Sequence, residues 1–174
     1  MNRWYLAFVA LLIVGPIWLW TSRLPVSALP GELSAEPAVG RRAPDFTLTT
    51  VTGEMVQLSE LHGRPVVINF WATWCGPCQR EMPALENASQ RFGDDVLFLG
   101  IDQGEPPDVV AKYLEELGVT FTVPLDSDMS VGDRYKVAGM PTTFFVDAEG
   151  IIRHLWVGEM NAIILAEGVR KILP

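Results

Sequence analysis

The chain has 174 residues, 49% hydrophobic and 20% charged, enough for one domain with its own core and too few for two. The formal net charge is −8 and the thirteen Lys and Arg residues are scattered. That balance excludes nucleic acid as the main partner, because phosphate binding needs clustered cations.

The first segment differs from the rest. Arg3 is followed by seventeen uncharged residues, Trp4 to Trp20. At about 1.5 Å per residue this run just spans the hydrocarbon of a bilayer. Trp4, Tyr5, Trp18 and Trp20 stand at its two ends, where amphipathic rings favour the interface. The expectation is one uncleaved transmembrane helix within residues 1–23. The alternative is a signal peptide cleaved near Ala28, after the small-residue run Val26-Ser27-Ala28, which would leave a soluble periplasmic protein. No Cys directly follows the apolar run, so a lipoprotein anchor is excluded. Residues 24–43 read as a linker, punctuated by Pro25, Pro30, Gly31, Pro37 and Gly40. In either case the domain that follows, residues 44–174, works where cytosolic reductants do not dominate thiol chemistry.

From Pro44 onward the pattern is regular. Asp45 to Leu58 reads as a β-hairpin turning at Thr52-Gly53. Pro65 to Ala72 is a continuous apolar run suited to a central strand buried on both faces. Met82, Leu85, Ala88 and Phe92 repeat at helical spacing within Gly76–Phe92. Asp95 to Asp102 is a second buried strand, and a helix opened by Pro106-Pro107 closes at Gly118. Phe121 to Asp126 is a short strand, and Ser130 to Val137 a helical turn. Thr142–Asp147 and Ile151–Gly158 form an antiparallel pair about Ala148-Glu149-Gly150, before a final helix capped by Asn161. Strands alternating with helices, then a closing hairpin and helix, predict an α/β domain around one sheet.

Cys75 and Cys78 are the only cysteines. A structural staple closing so short a loop contributes about 2 kcal/mol, against about 3 for a fifteen-residue loop. A metal site is poorly supported: structural zinc wants four ligands, a lone CxxC supplies two, and neither His62 nor His154 is near in sequence. A Cys-x3-Cys copper site has the wrong spacing. A reactive dithiol accounts for more of the residues. A buried strand runs into Trp74-Cys75 and a helix starts at Gly76-Pro77, so Cys75 sits where unpaired N–H groups and the helix dipole favour thiolate. Gly76 admits a second chain closely, and Pro77 lacks only an N–H that would go unpaired. Cys78 is one turn on, on the same helix face, placed to attack a mixed disulfide formed on Cys75.

Phe70 to Cys78, FWATWCGPC, followed by Gly139-Met140-Pro141-Thr142 and the TTFFVDAEG strand and turn, resembles the thioredoxin superfamily. Within it the chain is similar to the membrane-anchored, extracytoplasmic thiol-disulfide oxidoreductases of the TlpA/ResA type, from about Ala43 to the C-terminus. The resemblance implies a thioredoxin-like fold, a central mixed sheet flanked by helices. An N-terminal β-hairpin and an inserted helix-strand unit, here Pro106 to Pro124, would be added to it. It implies no cofactor beyond the Cys75–Cys78 disulfide. It makes Met140-Pro141 a cis peptide facing Cys75, whose flanking backbone pairs with an extended target, with Trp74, Gly76 and Pro77 completing the binding surface. Read alone, Pro141 is an ordinary proline at the start of a strand; the CxxC pair favours the other reading. Cytosolic thioredoxins carry a buried aspartate six residues before the first Cys; Asn69 stands there, and an amide is neither acid nor base. Glu81 is the candidate replacement, and the TlpA/ResA type has a glutamate at the matching place. Its other reading is a solvated acid in the first turns of a helix. Pro83 would bend the helix there and could tip Glu81 inward.

The implied activity is reduction of protein disulfides by a CGPC dithiol, fed by an upstream membrane electron donor. The resemblance extends to apocytochrome c as target, although the cytochrome-maturation branch often has glutamate where Thr142 stands. Two alternatives are a peroxiredoxin-like peroxidase, which needs Thr or Ser where Ala72 stands, and a non-catalytic metallochaperone or binding module.

Overall fold

The computed structural model describes residues 37–174. The expected transmembrane segment and most of the linker lie outside these residues. Among the described residues no helix is long and apolar enough to cross a membrane.

One sheet of seven strands organises the domain, in the order β2-β1-β5-β4-β3-β6-β7. The strands are β1 (Thr47–Thr50), β2 (Met55–Gln57), β3 (Val66–Trp71), β4 (Leu97–Gln103), β5 (Pro124–Asp126), β6 (Thr142–Val146) and β7 (Ile152–Val157). The helices are α1 (Gly76–Phe92), α2 (Pro107–Leu117), α3 (Ser130–Arg134) and α4 (Ala162–Arg170), with a 3₁₀ turn at Leu58–Leu61. The central strands β3, β4 and β5 run parallel, while β6, β7, β1 and β2 add antiparallel neighbours. This is the expected thioredoxin-like mixed sheet. The β1–β2 hairpin turns through Gly53, whose φ of +87° suits glycine, and docks on β5 through Thr49 and Leu125.

Every residue of β3 is buried, because both faces of the sheet are covered. Alternation along the strand then sorts its side chains. Val67 and Trp71 join the core with α1, α2 and α4, where Met82, Leu85, Val110, Leu114, Leu165 and Val169 sit. Ile68 and Phe70 face the opposite core with Phe46, Leu99, Tyr135 and Phe144. Asn69 lies between Val67 and Trp71 in this alternation, so the strand turns an amide towards the α1 side. α4 packs closely on β6 at a glycine: a methyl on Gly168 would come within 2.2 Å of the Phe145 ring.

Helix ends follow the sequence signals. Gly118, with φ +65°, closes α2, and the Val119 N–H returns to the Leu114 carbonyl. Asn161 Oδ1 accepts the N–H groups of Ile163 and Ile164, each at 3.0 Å.

Three boundaries differ from expectation. β5 begins only at Pro124, because upstream of it Thr122 makes a single parallel bridge to Leu99. α3 stops at Arg134, and Lys136 takes a left-handed φ of +52°. The linker was expected to reach residue 43, but Gly40 and Ala43 donate to the carbonyls of Ile152 and Gly150, and Arg41 accepts from Ile152. Those backbone groups find partners on the end hairpin, so ordered pairing starts at Gly40.

Candidate active site

β3 ends at Trp71, and after three intervening residues the chain enters α1 with Cys75 as the helix N-cap. Cys75 Sγ accepts the Cys78 N–H at 3.3 Å. The two cysteines are joined in a disulfide, with Cα atoms 5.2 Å apart. Cys75 retains 6% exposure while Cys78 has none. That asymmetry follows from the helix: its N-cap stands at the exposed end, and a residue one turn in faces the sheet. Cys75 borders an open groove of about 590 Å³. Trp74, Gly76 and Pro77 form one side, and Val137, Ala138, Gly139 and Met140 the other. The Trp74 indole is 68% exposed. Met140-Pro141 is cis, as the resemblance implied. Trp74, Gly76, Pro77 and Met140 thus meet at one groove with Cys75; Pro141, buried, follows at the start of β6.

Glu81 is buried, with 1% exposure. Its Oε1 accepts from Asn69 Nδ2 at 2.7 Å and its Oε2 from the Met160 N–H at 3.0 Å. Asn69 Nδ2 also reaches Thr143 Oγ1 at 2.9 Å, across the β3–β6 pair in which these residues are in register. Burial pushes the Glu81 carboxyl up to about 7; the two hydrogen bonds favour the carboxylate and hold the rise down, while nearby Glu159 adds to it. The solvated reading of Glu81 is therefore wrong: the side chain lies on the inner face of α1, among Cys78, Met82 and Leu85. α1 runs through Pro83 as one helix to Phe92.

Sequence reasoning missed the holders of Glu81. Asn69 was recognised only as a non-acid, yet it anchors the carboxylate, and the alternation along β3 was the signal for it. Nothing local marked the Met160 N–H, which comes from the loop after β7. A second pair was also missed: Glu105 accepts from both the N–H and the hydroxyl of Thr73, each at 2.5 Å.

Residues 39–155 match the model of the AhpC/TSA family. The chain belongs to the AhpC/TSA family. Among curated proteins this family member is 37% identical over 138 residues to the thiol-disulfide oxidoreductase ResA of Geobacillus kaustophilus, covering 79% of each chain. It is 35% identical over 136 residues to ResA of Bacillus subtilis, covering 78% of this chain and 76% of that one. Among solved structures, a putative thiol:disulfide interchange protein DsbE from Chlorobium tepidum superposes with a TM-score of 0.73 at 30% identity. That match covers 79% of this chain and 99% of the other. With its CxxC pair in this fold, the AhpC/TSA member described here is a thiol-disulfide oxidoreductase, an enzyme whose redox group is the Cys75–Cys78 pair itself.

Proposed function

We propose that this oxidoreductase reduces protein disulfides outside the cytoplasm, with Cys75 attacking, Cys78 resolving and Glu81 handling the proton. The observation that carries this reading is the asymmetry of the pair: Cys75 borders the groove, and Cys78 is buried on the same helix face as the buried Glu81, three residues on. In the cycle, the Cys75 thiolate attacks one sulfur of a target disulfide, and the other sulfur leaves as a thiolate and takes up a proton. Cys78 gives its proton to Glu81 and attacks Cys75 Sγ, closing the Cys75–Cys78 disulfide and expelling the second target sulfur as a thiolate, which takes up the proton that Glu81 gives back. Two electrons pass to the target. A membrane donor of two electrons and two protons then restores the dithiol.

The groove suits an extended segment. Met140 N–H and C=O make no hydrogen bond among the described residues, leaving both for a target strand. The Gly-Pro between the cysteines is that of thioredoxin, whose potential of about −270 mV favours reduction. Apocytochrome c, with its haem-attachment cysteines, is the target that the TlpA/ResA resemblance suggests. The Trp4–Trp20 run would tether the domain to the cytoplasmic membrane, with residues 24–39 as spacer.

Two measurements test this reading together. A reporter fused after Val39 should be active only when exported, and the reduced protein should cleave insulin disulfides with one dithiol consumed per disulfide. A cytoplasmic reporter signal would overturn the location. Failure to reduce insulin, with the pair reducible by dithiothreitol, would overturn the direction. A mature N-terminus at Leu29 would replace the anchored form by a soluble one.

A further inference from the structure

Beyond Cys75, Cys78 and Glu81, a cluster of polar side chains lies behind the loop Ala72–Trp74 that joins β3 to α1. Glu105 follows the end of β4, where Gly104 turns the chain with a φ of +80°. Its carboxylate meets Thr73 with both oxygens, Oε2 on the N–H and Oε1 on the hydroxyl, each at 2.5 Å. The Thr73 carbonyl accepts from Gln79 Nε2 at 2.6 Å. All three polar groups of one loop residue are thus held by side chains. Glu105 is itself anchored, its N–H donating to Oδ1 of the fully buried Asp102 at 3.1 Å. The two bonds to the Glu105 carboxylate are charge-assisted, and bonds of that kind are roughly twice as strong as neutral ones.

Their placement matters because of the next residue. Trp74 is 68% exposed and borders the groove beside Cys75. An exposed indole makes a binding wall only if its backbone is fixed beforehand; otherwise each target must order the loop as it docks.

We propose that Glu105 is a positioning residue for target recognition: by clamping Thr73 it holds Trp74 as a fixed wall of the groove, ready for an extended peptide segment that carries a disulfide. This rests on reading the groove as the target site. The clamp acts on docking, so its loss weakens the reaction with peptides more than the reaction with small disulfides, which need no wall.

The test compares second-order rates of the reduced full-length protein with a disulfide-bonded peptide and with hydroxyethyl disulfide. Glu105→Ala and Thr73→Val should each lower the peptide rate about fivefold or more relative to the small-disulfide rate, the size expected for losing one or two such bonds. The double variant should be no worse than Glu105→Ala alone, since both changes break one clamp. Thr73→Ser, which keeps the hydroxyl, should restore the peptide preference, and Trp74→Ala should show the same selective loss as Glu105→Ala. Selective loss in Trp74→Ala, with equal losses on both substrates or additive losses in the clamp variants, overturns the clamp and leaves the groove standing. No selective loss in Trp74→Ala overturns the groove reading and the clamp with it. A variant that fails to fold shows itself by losing both rates together with its thermal transition, and Thr73→Ser against Thr73→Val then decides.

Discussion

Cys78→Ser is expected to stop turnover while leaving Cys75 locked to its target. A target sulfur enters from the groove, which Cys75 borders, and cannot reach Cys78, which has no exposed surface. The mixed disulfide therefore forms on Cys75 alone. With serine at 78 there is no sulfur to displace the target, so turnover should fall by at least about a thousandfold, as for loss of a covalent participant. Mass spectrometry of the trapped species should place the whole target adduct on Cys75. Cys75→Ser should lose turnover and trapping together. Efficient trapping through Cys78 in that variant would show that the groove is not the approach route.

Glu81→Gln is expected to slow resolution by about 10²- to 10⁴-fold, the usual contribution of a positioned general base. The glutamine keeps the volume and an acceptor for Asn69 Nδ2, so the fold should survive. Rapid mixing should then show normal formation of the mixed disulfide and slow decay. A second consequence concerns stability of the oxidised form. The Glu81 carboxyl is raised from 4.5 to about 7, mainly by burial, so the folded state holds this proton more tightly than the unfolded chain does. Its contribution is fully present below about pH 4.5 and is lost as pH rises through about 7. The loss amounts to about 3 kcal/mol at full ionisation. Denaturant titrations should show wild-type stability falling across that window, with a distinctly shallower fall in Glu81→Gln. Some slope should remain, because burial and the neighbouring Glu105 and Asp126 also push the Asp102 carboxyl up. Parallel profiles for the two proteins would return Glu81 to a passive role.

What could be read from the sequence had local signals. The apolar run of β3, the proline start and glycine stop of α2, and the Asn161 cap each depend on a few adjacent residues. The Cys75–Cys78 pair was legible for the same reason, since a strand running into a proline-bearing helix start places the first cysteine at the N-cap. Glu81 was half legible. Its spacing from Cys78 put both on one face of α1, but whether that face was wet or dry depended on α1 packing against the sheet. Asn69 had a signal in the alternation along β3, but the Met160 and Glu105 partners were not legible, because they come from far along the chain. Met160 reaches Glu81 across 79 positions and Glu105 reaches Thr73 across 32. The second contact follows from the parallel register of β3 and β4, which sets Trp71 beside Asp102 and so brings the two strand ends together. Strand pairing at residues 40–43 was hidden likewise, since Gly40 and the Arg41-Arg42 pair carry no strand pattern of their own.

Whether Cys75 attacks and Cys78 resolves is decided by site-resolved alkylation of the reduced wild-type protein. Short pulses of iodoacetamide across a pH series, followed by peptide mass spectrometry, measure the rate at each cysteine separately. Cys75 should be labelled first and faster at every pH, with Cys78 lagging behind it. Faster labelling of Cys78, or equal rates at the two positions, would contradict these roles.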